Sequence, residues 1–164
     1  MLLPHQKRAV NEYIISKQHS KFDWGTNDCH TFVAECHDRA FGTYSVFKFK
    51  GKYDSMLSAV KYQRKQLKTK DWLADHGYTC VTDQLIHSDE TPEDGDVIIL
   101  QTHEGYMSAA YVLDAVAHSL NVIADYYTID DPRDVYEYNS RIAINIQQEE
   151  FGINIAELWR KSWA

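Results

Sequence analysis

The sequence predicts an α+β domain, N-terminal helices packed on an antiparallel β-sheet, on three observations. Apolar residues recur at helical spacing through the first half of the chain. From Tyr78 onward they fall into short runs separated by turn-forming strings such as TPEDG. Helical segments come first and extended ones later, the order of an α+β domain rather than of alternating βαβ units. At 164 residues the chain has the length of one domain, able to bury roughly two thirds of its unfolded surface.

In order, residues 4–19 form an amphipathic helix, with Pro4 suited to a first turn and Ala9, Val10, Tyr13 and Ile14 on one stripe. The string FDWGTND over residues 22–28 breaks it. A second helix runs from Cys29 to Ala40 with Asp28 as its N-cap, and Gly42 closes it. Residues 54–69 form a third helix, and a short fourth over residues 71–76 ends at Gly77, a residue type favoured just past a C-terminus. Strands are expected over residues 78–82, 96–102, 107–113, 121–127 and 140–146. Residues 1–146 make the domain. Residues 147–164 form a helical tail carrying Phe151, Ile155, Leu158, Trp159 and Trp163, with Trp159 and Trp163 as candidate partner-docking side chains.

Composition narrows the class. A hydrophobic share of 44% and a charged share of 25% are those of a globular chain, which excludes a disordered one. No apolar run approaches the ~20 residues of a membrane span, and MLLPHQKRAV lacks the apolar centre of a signal peptide, so synthesis in a cytoplasm is expected. Three cysteines with no paired spacing fit reduced thiols. The net charge of −7 opposes nucleic acid as a partner. It is segregated, however: residues 48–70 hold eight bases and one acid, whereas residues 83–96 hold six acids and no Lys or Arg. Such a dipole suits docking on a charged partner, or simply a solvated helix face.

The string FDWGTNDCHTFVAECHDRAFG, residues 22–42, carries the chemistry. Cys29 opens a helix, where backbone N–H groups and the helix dipole favour a thiolate, the usual route to a nucleophilic cysteine. Asp28 acts against this unless its carboxylate is occupied as the cap. Two Cys-His pairs occur in CHTFVAECH, but positions seven apart on a helix are separated by ~10.5 Å, so Cys29/His30 and Cys36/His37 cannot share a zinc. No metal or cofactor is expected. Cys36 and Cys80 read as small buried apolar residues. Trp24 reads either as the wall of a substrate groove or as packing under the first helix.

Trp24-Gly25, Asp28-Cys29, Phe32-Val33 and Gly42, followed by Gly95-Asp96-Val97-Ile98 and a hairpin, resemble the NlpC-type papain-like cysteine peptidases, and still more a poorly characterised branch common in tailed phages. The likeness spans residues 22–146. It implies a papain-like topology, Cys29 as nucleophile and a histidine opening the strand after Gly95-Asp96. In the matching stretch MSAAYVL the histidine's place is taken by Ser108, which with Trp24 would line the groove. A turn near Val116 and Ala117 would set Ser108 opposite Asp125, the family's orienting position, and carry His118 some 30 Å away. His103, at the end of the preceding strand, is the candidate substitute base, unless it is a solvated loop histidine.

The resemblance implies a virion-associated protein of a phage tail or ejection apparatus. A serine cannot take the thiol proton as imidazole does, which points to a non-catalytic member docking on other virion proteins or on bacterial cell wall. The alternative is an active cysteine hydrolase cleaving peptide or amide bonds of cell wall, with Cys29, His103 and Asp125 as its catalytic set.

Overall fold

A computed structural model describes residues 1–17, 20–81, 92–101, 107–114, 116–120 and 155–162. Pro4 opens α1 (Pro4–Ser16), which buries Gln6, Val10, Tyr13 and Ile14. Its packing partner is α2 (Cys29–Phe41), through rings such as Tyr13 and Phe32, 5.6 Å apart. Helix α2 begins at its expected cap, Asp28, and ends at Gly42, whose left-handed φ of 67° lets its N–H close on the Asp38 carbonyl at 2.7 Å. A 3₁₀ turn follows (Ser45–Lys48). It is pinned by Asp38, whose carboxylate accepts from the Ser45 and Val46 N–H groups and the Ser45 hydroxyl.

Helix α3 (Met56–Lys65) is shorter than its periodic stretch, because Ser55 and Ser58 cap it reciprocally and set its start. Helix α4 (Thr69–Asp75) begins two residues earlier than expected. Among the described residues no helix is long and apolar enough to cross a membrane.

The described strands are β1 (Tyr78–Cys80), β2 (Val97–Gln101), β3 (Met107–Leu113), β4 (Val116–His118) and β5 (Ile155–Lys161). They form one antiparallel sheet in the order β1-β5-β2-β3-β4, so the α+β class with an antiparallel sheet holds. Two expectations fail. Residues 155–161 are not helical but a strand, inserted between β1 and β2. In sequence the run Ile155, Leu158, Trp159 imitates helical spacing, although Leu158 and Trp159 as strand neighbours point to opposite faces of the sheet. Trp159 packs against the core instead of standing out as a docking side chain; Trp163 lies outside the described residues, as do the strands expected at 121–127 and 140–146.

The second failure is the hairpin register. Tyr111 pairs with His118, and Asp114, at a φ of 54°, sits in the turn. Val116 and Ala117 are therefore strand residues rather than the turn, and Asp125 lies outside the described residues. His118 stands only three positions along from Ser108, about 10 Å.

Alternation along the strands assigns the faces. Val97, Ile99 and Ala109 line one apolar cavity together with Val33 of α2 and Trp72 and Leu73 of α4, so odd-numbered positions of β2 and β3 face the helices. Lys161 of β5 agrees, lying over the Phe41 and Tyr78 rings. Even-numbered positions share the other face. There Asp96, at the foot of β2, receives the Arg160 guanidinium in a fork, Nε at 3.0 Å and Nη2 at 2.9 Å. Burial pushes the Asp96 carboxyl above the usual range, and Arg160 pulls it back. The Gly95-Asp96 motif thus clamps the chain's last strand to the sheet.

Replacing Arg160 by Met should cost about 3 kcal/mol at pH 7, because a buried carboxylate is left without its counter-charge. The deficit should shrink as the pH falls and Asp96, its carboxyl raised by burial, takes up a proton. Urea denaturation of both proteins at pH 7 and pH 4.5 measures this, and a deficit equal at both pH values contradicts it.

Candidate active site at the N-terminus of the second helix

The chain entering α2 makes a short loop closed by an isolated bridge between Asp23 and Asn27. Gly25, at a φ of 82°, runs so close to residue 53 that a Cβ there would lie 1.8 Å from the Tyr53 carbonyl oxygen. The Gly51 N–H donates to the Gly25 carbonyl at 2.7 Å and ties the basic segment to this loop. Asp28 is buried, and both carboxylate oxygens accept backbone N–H groups, from Gly25 at 2.8 Å and Thr31 at 2.9 Å. Its carboxylate is thus occupied as the cap, the condition under which it burdens the neighbouring thiol least. Burial and the Asp28 carboxylate together hold the Tyr53 hydroxyl protonated.

Cys29 is the first residue of α2 and is 1% exposed. Its Sγ lies 3.4 Å from Nδ1 of His30, within hydrogen-bond reach for sulfur. On the far side of the ring, Nε2 meets Thr69 Oγ1 of α4 at 2.8 Å, and the Gln63 amide nitrogen of α3 approaches Nε2 at 3.2 Å. Three helices therefore fix one imidazole beside one thiol. Burial lowers the His30 pKa to about 4, with Asp28 opposing, so the ring is neutral at neutral pH and has a lone pair to offer.

Among the residues expected at the site, Cys29 is where the sequence placed it, and His103 and Asp125 lie outside the described residues. Ser108 is buried in β3, and alternation puts it on the sheet face opposite that of Ala109. Trp24 packs edge-on against Phe22 at 4.8 Å and, half-buried, against the core. Cys36 is buried and its thiol pushed well up by burial. Cys80, read as buried, is exposed, its Sγ 3.4 Å from a Glu157 carboxylate oxygen. No group of three or more His, Cys, Asp or Glu suited to a metal occurs among the described residues.

His30 is the residue sequence reasoning passed over. Adjacent residues on a helix do not face each other, so CH at a helix start does not read as a dyad. The available signal was a histidine in the first turn of a helix apolar nearly all round, where a polar ring must find partners.

His37, in the same helix, is likewise lowered to about 4 by burial, and its Nδ1 meets the Tyr78 hydroxyl at 2.8 Å. For both rings the unfolded chain is the better proton binder. Stability should therefore be full above pH 6.5, fall as the pH drops from 6.5 toward 4, and level off below. Thermal melts across that window test it: the Tm should decline, and His37→Gln should decline less steeply. Equal slopes would show that His37 is not a buried neutral ring.

No curated protein and no solved structure matches this chain. Residues 1–124 match the model of one protein family, and the chain thus belongs to the family described as "Domain of unknown function (DUF6950)".

Proposed function

We propose that this protein is a papain-like, NlpC-type cysteine hydrolase of a tailed-phage particle, acting on peptide or amide bonds of bacterial cell wall through Cys29. The observation that carries the reading is the 3.4 Å approach of the His30 ring to the Cys29 sulfur at a helix N-terminus, with Thr69 behind the ring. The likeness in residues 22–42 and 95–98 to NlpC-type peptidases supports the substrate class.

In this reading the Gln63 amide is turned so that its oxygen faces the ring, His30 carries its proton on Nε2, donating to Thr69 Oγ1, and Nδ1 accepts from the thiol. A ring held near a pKa of about 4 does not form a resting ion pair. The proton instead moves to Nδ1 as sulfur attacks the carbonyl carbon, and backbone N–H groups of the first turn face the oxyanion. Nδ1 then returns the proton to the departing amine, leaving a thioester for water to cleave. His30 fills the part that the sequence offered to His103.

A second reading, a virion structural protein that keeps the fold without chemistry, draws on the burial of the thiol at 1% exposure. The two separate on peptidoglycan stem peptides. The hydrolase should cleave them, Cys29→Ser should abolish cleavage, and Thr69→Val should slow it about tenfold or more by releasing the tautomer. Loss on His103→Ala would move the base to that residue. Iodoacetamide should alkylate Cys29 in a Cys80→Ser background; a Cys29 that resists alkylation in the native protein, with no cleavage, would leave the structural reading.

A further inference from the structure

Residues 44–68 present a surface that neither the thiol chemistry nor the core uses. Tyr44 and Phe47 are 80% and 63% exposed, and their rings stack at 6.5 Å with 25° between the planes. Tyr44 caps the 3₁₀ turn and Phe47 lies within it, and its three-residue repeat sets positions three apart in line. Lys48, Lys50 and Lys52 follow at once, all exposed. The Tyr62 hydroxyl donates to the Lys48 carbonyl and holds α3 beside this turn. Helix α3 and the residues after it then add Leu57, Lys61, Arg64, Lys65 and Lys68 on an exposed stripe at helical spacing.

Lys70 of this basic segment pairs with Glu157 at 2.6 Å. The other seven bases form no ion pair among the described residues. Outside residues 48–70 the chain holds nine bases against 23 acids. Screening over about 8 Å at physiological salt cuts this patch off from much of that opposing charge, so a ligand at the patch meets a local field of the opposite sign to the net charge. Lysines are depleted at protein–protein interfaces, and an acidic protein would gain little from stacked rings. A polyanion with planar bases uses both features, its backbone on the lysines and its bases on the rings.

We propose that the face formed by Tyr44, Phe47, Lys48, Lys50, Lys52 and α3 binds single-stranded nucleic acid without sequence preference. The expectation drawn from net charge alone is thereby reversed for one face of the molecule.

Fluorescence anisotropy of a labelled oligothymidylate of about 20 nucleotides, titrated with the full chain at 50 mM salt, tests it. Micromolar binding is expected, with log K falling against log salt at a slope of about −3, as for some four phosphate contacts. Lys48→Glu/Lys50→Glu/Lys52→Glu should weaken binding at least about tenfold and flatten the slope. Tyr44→Ala/Phe47→Ala should weaken it about tenfold at an unchanged slope, because stacking is not ionic. All five positions are exposed, and circular dichroism checks that the variants fold. Failure to bind at 50 mM salt overturns the proposal. So does equal affinity for poly-glutamate, for a duplex of the same length, or for the variant lacking both rings.

Discussion

Helix α2 is buried on nearly every side: ten of its thirteen residues, among them two histidines and an aspartate, are withdrawn from water. A polar group in that position has to find its partners inside the protein or destabilise the fold. The remaining elements are arranged around that demand. Asp38 reaches the 3₁₀ turn, His37 the first residue of β1, and His30 both α3 and α4. Each bond joins α2 to a different part of the chain, so satisfying the helix and assembling the domain are one process.

The same constraint shapes the thiol. A histidine exposed beside Cys29 would be a stronger base but a freely turning one. Buried between Thr69 and Gln63, His30 has one orientation, and its Nδ1 is held at the sulfur. Burial costs it basicity, since a ring with a pKa of about 4 accepts a proton only as the nucleophile gives it up. Orientation is gained at the expense of driving force, and any reactivity of the pair depends on the concerted step. Two helices and the sheet share this arrangement, because the cavity beside His30 is closed by α4 on one side and by β2 and β3 on the other.

Local chemistry made much of this fold readable from the chain. Asp28 and Gly42 bound α2 because a carboxylate cap and a left-handed glycine are decided within a few residues. The sheet was harder. Strand β5 pairs residues about 80 apart, Tyr78 with Lys161, and nothing local in Ile155 to Lys161 distinguishes this strand from a helix. The hairpin was displaced for a related reason. Asp114 takes a positive φ that its neighbours do not advertise, and moving the turn reassigns every cross-strand pair. Of the site, Cys29 was visible from its place at a helix start. Its partner was not, because the contact depends on how α3 and α4 press the His30 ring back toward the sulfur.

Charge follows the same division between local and global. A net charge of −7 describes the chain as a distant ion meets it. A ligand in contact meets only what lies within a screening length, and around Lys48 that is positive. The segment's position adds to this. Gly51 is bonded to the loop that carries Gly25 and Asp28, so the backbone that displays Lys50 and Lys52 is the backbone that shapes the entry to α2. Lys17, which shares that corner, has its ammonium pKa lowered first by burial and then by repulsion from Lys50. The corner at the start of α2 is therefore where the basic segment and the loop leading to Cys29 meet.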